Sequence, residues 1–300
     1  MTRRKSSAPL IKLSHNLRCY ILAIVCIFVL VSYLSMSDSS FYHLRGNGPI
    51  PRSFPEALVD DKFNHAIIVA GHAVMHVEDM GEAQTHDEAW NLLGYQRGQG
   101  FPQIISSHIA AGVAAASQDP KSILLFSGGQ TRKDAGPTSE AVSYYYLAQQ
   151  EKLLTDSIHV ALEEYARDSF ENVLFSLCRF HEVSGNYPSF ITVVGFDFKG
   201  PRFRNIIREA VRFPVDHFEY IGVKPEVSGF DYAKAVKGEA VVYEMAQRDM
   251  YGCGSPSLLD KKMTRDPFHR TVPYELACPD LKSLMHWCGP DQFPGPLPWG

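Results

Sequence analysis

The stretch SILLFSGGQT, residues 122–131, decides how the rest of the chain is interpreted. A short apolar run that ends in a small hydroxyl residue and two glycines is typical of a buried parallel strand followed by a tight turn. Glycines at such a turn let the backbone bend sharply and bring its N–H groups close to a ligand. Since ligands of open α/β sheets bind at the carboxyl ends of the strands, this stretch predicts one wall of a binding site.

Apolar runs and helical patterns alternate along the chain on both sides of that stretch. Strands are predicted at 65–71, 122–127, 158–161, 190–195 and 217–223, and helices at 102–117, 139–151, 169–183, 201–212 and 232–249. Apolar strands that are each followed by a helix indicate a parallel sheet covered on both faces. We therefore predict an α/β fold, a Rossmann-like three-layer α/β/α sandwich, over residues 63–250.

The first 35 residues have the pattern of a membrane anchor. Residues 1–18 contain basic side chains and no acidic one, and residues 19–35 read CYILAIVCIFVLVSYLS. This apolar run is at the short end of the ~17–25 residues that span a bilayer. The basic flank predicts a transmembrane signal anchor of type II topology, with the remainder of the chain in the lumen. A cleaved signal peptide is the alternative, because Ser35-Met36-Ser37 fits a small-x-small cleavage site.

Two further segments flank the predicted domain. Residues 36–62 contain Ser, Pro and Gly without a sustained period and are interpreted as a stem. Residues 251–300 form a C-terminal extension in which Cys253, Cys278 and Cys288 lie among Gly and Pro. In an oxidising lumen a Cys278–Cys288 disulfide is one possibility, and a tail with free thiols is the other.

Composition and missing fingerprints argue against several classes of protein. The chain is 45% hydrophobic and 21% charged, as expected for a globular protein, and its formal charge of -4 gives no global argument for a nucleic-acid partner. It contains no G-x-G-x-x-G after the first strand, no P-loop, no G-x-S-x-G and no H-E-x-x-H. A nicotinamide dehydrogenase, a P-loop NTPase, a lipase-type hydrolase and a zincin are therefore not indicated.

The loop after the first predicted strand is dense in histidines and carboxylates: His72, His76, Glu78, Asp79, Glu82, His86, Asp87 and Glu88. Side chains of these types hold divalent metals. However, their spacing is not that of a known ligand set, and a solvated loop is the alternative. We therefore assign no metal site.

Polar residues after the strand at 122–127 suit an anion. Backbone N–H groups of Gly128 and Gly129, together with Arg132, would hold a phosphate. Glu140, at the start of the next helix, is a candidate general base or a ligand for a ribose-like diol, and the alternative is a carboxylate that only favours the positive end of that helix. Ser127 is a ligand-binding candidate, but the sequence places no general base beside it to make it a nucleophile.

Two later strand ends add to this group. Glu163, Arg167 and Asn172 follow the third strand, and this combination exceeds what helix capping requires. Lys199 and Arg202 follow the fourth strand at a helix N-terminus, where cations are unfavourable unless an anion lies between them. This is the strongest physical argument for an anionic ligand, and simple solvation of the long side chains is the alternative.

Three of these blocks resemble the SanA/YdcF/ElyC-type family, also called domain of unknown function 218. They are Ser127-Gly128-Gly129, Ser139-Glu140-Ala141 and EEYARDSFEN at 163–172, against the family's S-G-G, s-E-A and E-x-x-S-R-N-T-x-E-N. This chain departs from the pattern at Ala166, Asp168 and Ser169, and Lys199 replaces the family's later His. The resemblance covers about residues 65–222, and the anchor, stem and Cys-containing tail resemble the family's fungal secretory-pathway branch.

The resemblance implies a Rossmann-like fold with a cleft lined by Gly128, Gly129, Glu140, Glu163, Asn172 and Arg202. Together with the anchor, it predicts a membrane protein of the secretory pathway, in the Golgi or endoplasmic reticulum. The predicted partner is a small anionic ligand, such as a phosphate- or nucleotide-containing molecule or a phosphorylated or lipid-linked sugar. Glu140 or Glu163 would be the base of a hydrolase or transferase in glycan or lipid-carrier metabolism. A non-catalytic module for an S-adenosylmethionine-like ligand and a structural membrane protein with a vestigial cleft are the alternatives, and no cofactor is assigned.

Overall fold

A computed structural model describes residues 63–76 and 81–300 of the chain. The predicted anchor at 19–35, the stem at 36–62 and the candidate metal ligands Glu78 and Asp79 lie outside the described residues. Within the described ranges, no helix has both the length and the hydropathy that crossing a membrane requires.

The strands of the described residues form one large sheet and one small one. They are β1 (His65–Ala70), β2 (Val74–Met75), β3 (Trp90–Asn91), β4 (Ser122–Ser127), β5 (Val160–Glu163), β6 (Phe190–Phe196) and β7 (Phe218–Val223). Five of them form a parallel sheet in the order β5-β4-β1-β6-β7, and β2 pairs with β3 in antiparallel fashion. The order reverses direction at β1, as in a Rossmann fold, and this reversal opens a crevice at the carboxyl ends of the strands.

The helices of the described residues follow the strands in the predicted alternation. They are α1 (Phe101–Gln118), α2 (Glu140–Gln150), α3 (Ser169–Ser184), α4 (residues 200–210), α5 (Tyr232–Arg248), α6 (Pro256–Thr264), α7 (Tyr274–Ala277) and α8 (Lys282–Met285). Helix α4 contains a π-helical turn at Phe203–Ile207 between two short α-helical segments. The predicted α/β fold with a parallel sheet is therefore confirmed.

The prediction for the third strand of the large sheet was wrong in its position. Strand β5 runs from Val160 to Glu163 and not over 158–161, because its pairing with β4 joins Leu124 to Val160 and ends where Ser127 meets Glu163. A carboxylate is an unusual residue for a buried strand, so the pattern of apolar residues did not extend to it. The corrected register places Glu163 level with Ser127 at the carboxyl edge.

The sheet separates two apolar layers because alternate residues of each strand point to opposite faces. Ile67 and Val69 of β1 pack with α1 and α2 on one face. Ala66 and Ile68 pack with α3 and α4 on the other. The arrangement is the predicted three-layer α/β/α sandwich.

Residues 251–300 pack onto the second of these faces. Tyr251, Tyr274, Leu281 and Phe293 are buried in the same core as α3. The segment that the sequence suggested as an extension is therefore part of the domain's core in this structure.

The disulfide prediction was wrong in both of its forms. Cys278 pairs with Cys178 of α3, and Cys253 pairs with Cys288, so Cys278 and Cys288 are neither joined to each other nor free. Cys178 lies 100 residues from its partner in the middle of a helical pattern. Connectivity over such a distance cannot be deduced from cysteine spacing.

Candidate functional site

A cavity of about 470 Å³ lies at the carboxyl edge of the sheet. Its walls come from the residues that follow β1, β5 and β6, from the start of α2, from the start of α1 and the loop before it, and from helices α5 and α6. A pocket of this size at the strand-order reversal of an α/β sheet is the default place for a small ligand.

Helix α2 places Glu140 in the cavity wall. Ser139 caps the helix by accepting the N–H of Val142, so Glu140 is the first helical residue and lies at the positive end of the helix. Its side chain is 7% exposed, and its Oε1 accepts the hydroxyl of Thr131 at 2.5 Å. The other oxygen, Oε2, accepts no hydrogen bond from the described residues and is available to a ligand.

Two glycines, Gly71 and Gly128, leave the space that this carboxylate occupies. A Cβ atom at Gly71 would lie 2.5 Å from Glu140 Oε2, and one at Gly128 would lie 2.6 Å from the same atom. A real Cβ never approaches that closely, so any side chain at either position would displace Glu140. The close approach that the sequence predicted between Gly128 and a ligand is made by Glu140 in this structure.

The backbone of the glycine turn is closed by its own hydrogen bonds. Gly128 donates its N–H to the carbonyl of Glu163 at 3.0 Å, and Gly129 donates to the carbonyl of Ala166 at 2.7 Å. A Cβ at Gly129 would lie 2.9 Å from that same Ala166 oxygen, which explains the second glycine. Neither glycine lines the cavity, and the N–H groups predicted for a phosphate are already used.

Glu163 and Ser127 lie behind the cavity and are fully buried. The Oε1 atom of Glu163 accepts the N–H groups of Tyr165 and Ala166 at 2.7 and 3.1 Å, and its Oε2 lies 2.6 Å from Ser127 Oγ. Burial raises the pKa of Glu163 to about 7. These contacts fix the β5–α3 loop on the end of β4.

Asn172 joins this buried group to the cavity. Its Oδ1 lies 3.0 Å from Ser127 Oγ, and the residue is 7% exposed where it forms part of the cavity wall. Its Nδ2 donates no hydrogen bond to any described residue. Asn172 can therefore offer an N–H donor to a ligand, whereas Ser127 and Glu163 cannot reach one.

Two of the predicted arginines line the cavity but are already paired. Arg167 makes a bidentate ion pair with Glu171, at 2.7 and 3.0 Å. Arg202 makes another with Glu239 of α5, at 2.5 and 3.2 Å. Bidentate pairs of this kind are strong and directional, so these arginines hold α3 and α5 in place as much as they face a ligand.

Lys199 is the predicted cation that the structure leaves unpaired. It lies half-buried in the cavity wall, and its Nζ is 5.0 Å from the centre of the Phe196 ring. Within the described part of the chain it makes no hydrogen bond and no ion pair. Its pKa is lowered to about 7, mainly by burial and further by the charges of Arg202, Lys261 and Arg265, against the attraction of Glu239.

Arg132, the remaining predicted cation, lies beside the cavity and does not line it. Its Nη1 donates to the carbonyl of Thr131 at 2.9 Å, while its Nε is buried without a partner among the described residues. Burial lowers the pKa of Arg132, and the charge of Glu140 opposes this shift.

Helix α6 supplies cations that the sequence did not assign to the site. Lys262 anchors the helix through ion pairs with Asp168 at 3.1 Å and Glu171 at 3.3 Å. Lys261 and Arg265, on the same side of the helix end, line the cavity and have no carboxylate partner in the described residues. Although part of the Lys261 side chain is exposed, burial and the charges of Arg265 and Arg202 lower its pKa to about 8.

The described candidate metal ligands of the loop after β1 do not come together in one group. Within residues 63–76 and 81–300, no group of three or more His, Cys, Asp or Glu side chains could hold a metal ion. Two described members of the set, Asp87 and His86, are instead used close to their own positions in the chain. Asp87 accepts the N–H of Gly98 at 2.6 Å, and the imidazole of His86 lies 2.9 Å from the hydroxyl of Thr85.

Comparison with known proteins identifies one relative. The chain is 30% identical, over 234 aligned residues, to the Saccharomyces cerevisiae protein described as "uncharacterized protein YOR238W". The alignment covers 62% of this chain and 77% of the yeast protein. The chain belongs to the family of that protein. No known protein-family profile and no solved structure matches the chain.

The unassigned residues of the site were missed for two reasons. Lys261 and Arg265 lie beyond residue 250, in the segment interpreted as an extension. Phe196, Phe198 and Phe230 were interpreted only as strand and loop residues, yet they line the cavity. The signal that could have found α6 is its two consecutive lysines followed by Arg265, an unusual concentration of charge at the end of a helix that begins with a proline.

Proposed function

We propose that this protein binds an anionic, phosphate-containing ligand in the cavity. The observation that carries this proposal is the position of Lys199, half-buried in the cavity wall with no hydrogen bond or ion pair from the described residues. Lys261 and Arg265 face the same space without carboxylate partners. Seven cationic and five acidic side chains line the cavity, which leaves an excess of two positive charges for a ligand to balance.

The physical reason is the free energy of an unpaired buried charge. Removing an ammonium group from water is costly unless an opposite charge is close. Titratable groups with strongly shifted pKa values that converge in a cleft are a mark of functional sites, and Lys199 and Lys261 both have lowered pKa values. An anion placed among them would recover that cost and hold Lys199 in its charged form.

We further propose that the domain is the lumenal part of a single-pass type II membrane protein of the secretory pathway, in the Golgi or endoplasmic reticulum. The basic flank and apolar run of residues 1–35 support an anchor. Two disulfides are typical of chains that mature in an oxidising compartment. Membership of the SanA/YdcF/ElyC-type family is part of the same proposal, and it is supported by three sequence blocks at neighbouring strand ends.

The chemistry that the cavity favours is hydrolysis or transfer at phosphorus, with a phosphorylated or lipid-linked sugar among the candidate substrates. Glu140 would accept a proton from water or an acceptor hydroxyl, whose oxygen forms a bond to phosphorus. The bond from phosphorus to the leaving oxygen breaks, and that oxygen takes its proton from Lys199 or from solvent. The cations around Lys199 would stabilise the charge on the transferred group.

A second candidate is a binding module without catalysis, for an S-adenosylmethionine-like or phosphate-containing ligand. It is favoured by the burial of Glu163 and Ser127, which removes one of the two candidate bases and the hydroxyl of Ser127 from the cavity. In that case Glu140 binds a ligand hydroxyl and abstracts no proton. A structural membrane protein with a vestigial cleft, the remaining alternative, would bind neither an S-adenosylmethionine-like nor a phosphate-containing ligand.

Anion binding is tested by titrating the purified full-length protein with inorganic pyrophosphate in a calorimeter. We expect binding, and we expect Lys199→Met to weaken it by about thirtyfold, since charge-assisted hydrogen bonds contribute about 2 kcal/mol. The same substitution at exposed Lys133, outside the cavity, is the matched control and should leave the affinity unchanged. Equal losses at both lysines, or no binding at all, would reject the proposal.

Catalysis is tested separately by replacing Glu140 with Gln, which keeps the size and the hydrogen bond from Thr131 but removes the base. If the protein is an enzyme on phosphate esters, product release should fall by at least a hundredfold while ligand affinity changes little. Turnover that survives in this variant would remove Glu140 from the mechanism. A ligand that binds and is recovered intact from the wild type would favour the binding module.

A further inference from the structure

The cavity has an aromatic end formed by the residues around Phe196. Three phenylalanine rings are nearly parallel, with Phe198 and Phe230 inclined to Phe196 by 25° and 17° at centroid distances of 4.9 and 6.0 Å. Phe101 adds a fourth ring at 5.8 Å from Phe196. All four line the cavity. Flat aromatic surfaces of this kind suit a planar ring of a ligand, because aromatic groups gain from stacking in addition to the burial of their surface.

The same end contains unused hydrogen-bonding atoms. The imidazole of His72 lines the cavity 4.9 Å from the Phe196 ring, and its Nε2 is buried without a partner among the described residues. Behind it, both ring nitrogens of fully buried His108 also lack partners. A buried polar atom without a partner costs free energy that a ligand with N–H or carbonyl groups on its ring would recover. Burial lowers the pKa of His72 well below its usual value, so the ring is neutral and can donate at one nitrogen and accept at the other.

The other end is cationic and has a larger excess of charge than the cavity as a whole. Lys199, Arg202, Lys261 and Arg265 lie close enough to influence one another's protonation. Glu239 is the acidic group that acts most strongly on Lys199, and Asp168 is the one that acts most strongly on Lys261. Asp168 is balanced by Lys262 at 3.1 Å and Glu239 balances one of the four cations, which leaves an excess of three positive charges. The two ends adjoin, since Lys199 Nζ is 5.0 Å from the centre of the Phe196 ring.

We infer that the ligand is a nucleoside diphosphate, with its heterocyclic base among the phenylalanines and His72 and its diphosphate among Lys199, Lys261 and Arg265. This inference rests on the proposed anion site and names the ligand of that site. A terminal phosphate carries about two negative charges near neutral pH and the second phosphate adds one more, which matches the local excess. A monophosphate would leave one cation without compensation.

Two other ligand classes fit the cavity less well. An isoprenoid diphosphate would match the cationic end, but its hydrocarbon chain would leave His72 Nε2 without a partner. An S-adenosylmethionine-like ligand would match the aromatic end, but its sulfonium charge would face an excess of positive charge. The nucleoside diphosphate is the class that satisfies both ends.

The test is calorimetric titration of the full-length protein with a panel of probes: ADP, GDP and UDP, with AMP, GMP, UMP, inorganic pyrophosphate, geranyl diphosphate and S-adenosylmethionine as comparisons. We expect at least one nucleoside diphosphate to bind about tenfold more tightly than both its monophosphate and pyrophosphate, since base stacking and one charge-assisted contact each contribute such a factor.

Three variants separate the two ends of the site. Phe230→Leu keeps an apolar side chain but removes a ring, and His72→Phe keeps a ring but removes the hydrogen-bonding nitrogens. Both should weaken the nucleoside diphosphate about tenfold and leave pyrophosphate unchanged. Lys261→Met should weaken both diphosphates and change the monophosphate less than threefold. The same substitution at exposed Phe268 (Phe268→Leu), which lies outside the cavity, is the matched control for Phe230→Leu and should leave both affinities unchanged.

Failure of the base site and failure of the anion site give different outcomes. Pyrophosphate binding as tightly as every nucleoside diphosphate would reject the base site while keeping the anion site. Geranyl diphosphate or S-adenosylmethionine binding more tightly than every nucleoside diphosphate would also overturn the inference. Failure of all the phosphate-containing probes to bind would reject the anion site itself.

Discussion

Two parts of the same sheet edge differ in how they use their polar groups. The motif side, defined as Ser127, Gly128, Gly129 and Glu163, meets its hydrogen-bonding needs within the protein. The cation side, defined as Lys199, Lys261 and Arg265, lines the cavity without a carboxylate partner in the described residues. The comparison teaches that a conspicuous sequence motif can support a site from behind, while the cations without carboxylate partners are the groups that we propose to contact the ligand. Glu140 lies between them, supported by the motif side and facing the cavity.

The largest expected effect is on the motif side. Glu163→Ala should lower the free energy of unfolding by about 4 kcal/mol, because it leaves the N–H groups of Tyr165 and Ala166 and the hydroxyl of Tyr274 without their acceptor. Urea denaturation measures this change. Glu163→Gln, which retains an acceptor oxygen, is the control and should cost less than about 1 kcal/mol. If the two variants lost the same stability, the hydrogen bonds would not be the reason.

The second prediction uses the protonation of the same residue. Burial raises the pKa of Glu163 from its ordinary 4.5 to about 7 in the folded protein. The folded state therefore holds a proton that the unfolded state releases between these values, so stability should fall as the pH rises from 4.5 to 7. This contribution is up to about 3 kcal/mol. The stability of Glu163→Gln, measured by urea denaturation at several pH values, should fall less over that interval, and parallel curves would contradict the burial account.

A sequence shows local patterns of residues but not tertiary contacts, and this explains which parts of the two sides could be predicted. The apolar strands and capped helices identified the sheet, its layers and the positions of Glu140, Asn172, Lys199 and Arg202 at one edge. Local pattern cannot show which N–H groups are already used, so it assigned a phosphate to the Gly128-Gly129 turn. It also cannot show that the segment around Cys278 returns to the core through a disulfide with Cys178, which lies 100 residues earlier in the chain. The cations of α6 were missed for that reason, because their place in the site depends on tertiary packing.

The third prediction concerns the cation side. Lys199→Met should reduce the affinity for pyrophosphate about thirtyfold, a change of about 2 kcal/mol, without lowering the melting temperature of the free protein. Methionine fills a similar volume, and removing a half-buried cation relieves a desolvation cost. Ser127→Ala is the opposite case: it should lower the melting temperature and change the affinity less than threefold. A reversal of these two patterns would mean that the motif side contacts the ligand.

The smallest expected effect is the pH dependence of binding. The pKa of Lys199 is lowered to about 7 in the free protein, and an anion beside it would raise that pKa. Binding above pH 7 therefore takes up a proton, and the affinity for pyrophosphate should fall several-fold, by about 1 kcal/mol, between pH 7 and 8.5. Lys199→Arg stays charged and should show a shallower fall in calorimetric titrations. An affinity that rises with pH in the wild type would contradict this assignment.

The most direct test of the central claim is a crystal structure of the protein with pyrophosphate. The account predicts diphosphate density within hydrogen-bonding distance of Lys199 Nζ and Lys261 Nζ, with the N–H groups of Gly128 and Gly129 still donating to the carbonyls of Glu163 and Ala166. Diphosphate density against the opened Gly128-Gly129 turn, with Lys199 and Lys261 untouched, would contradict it.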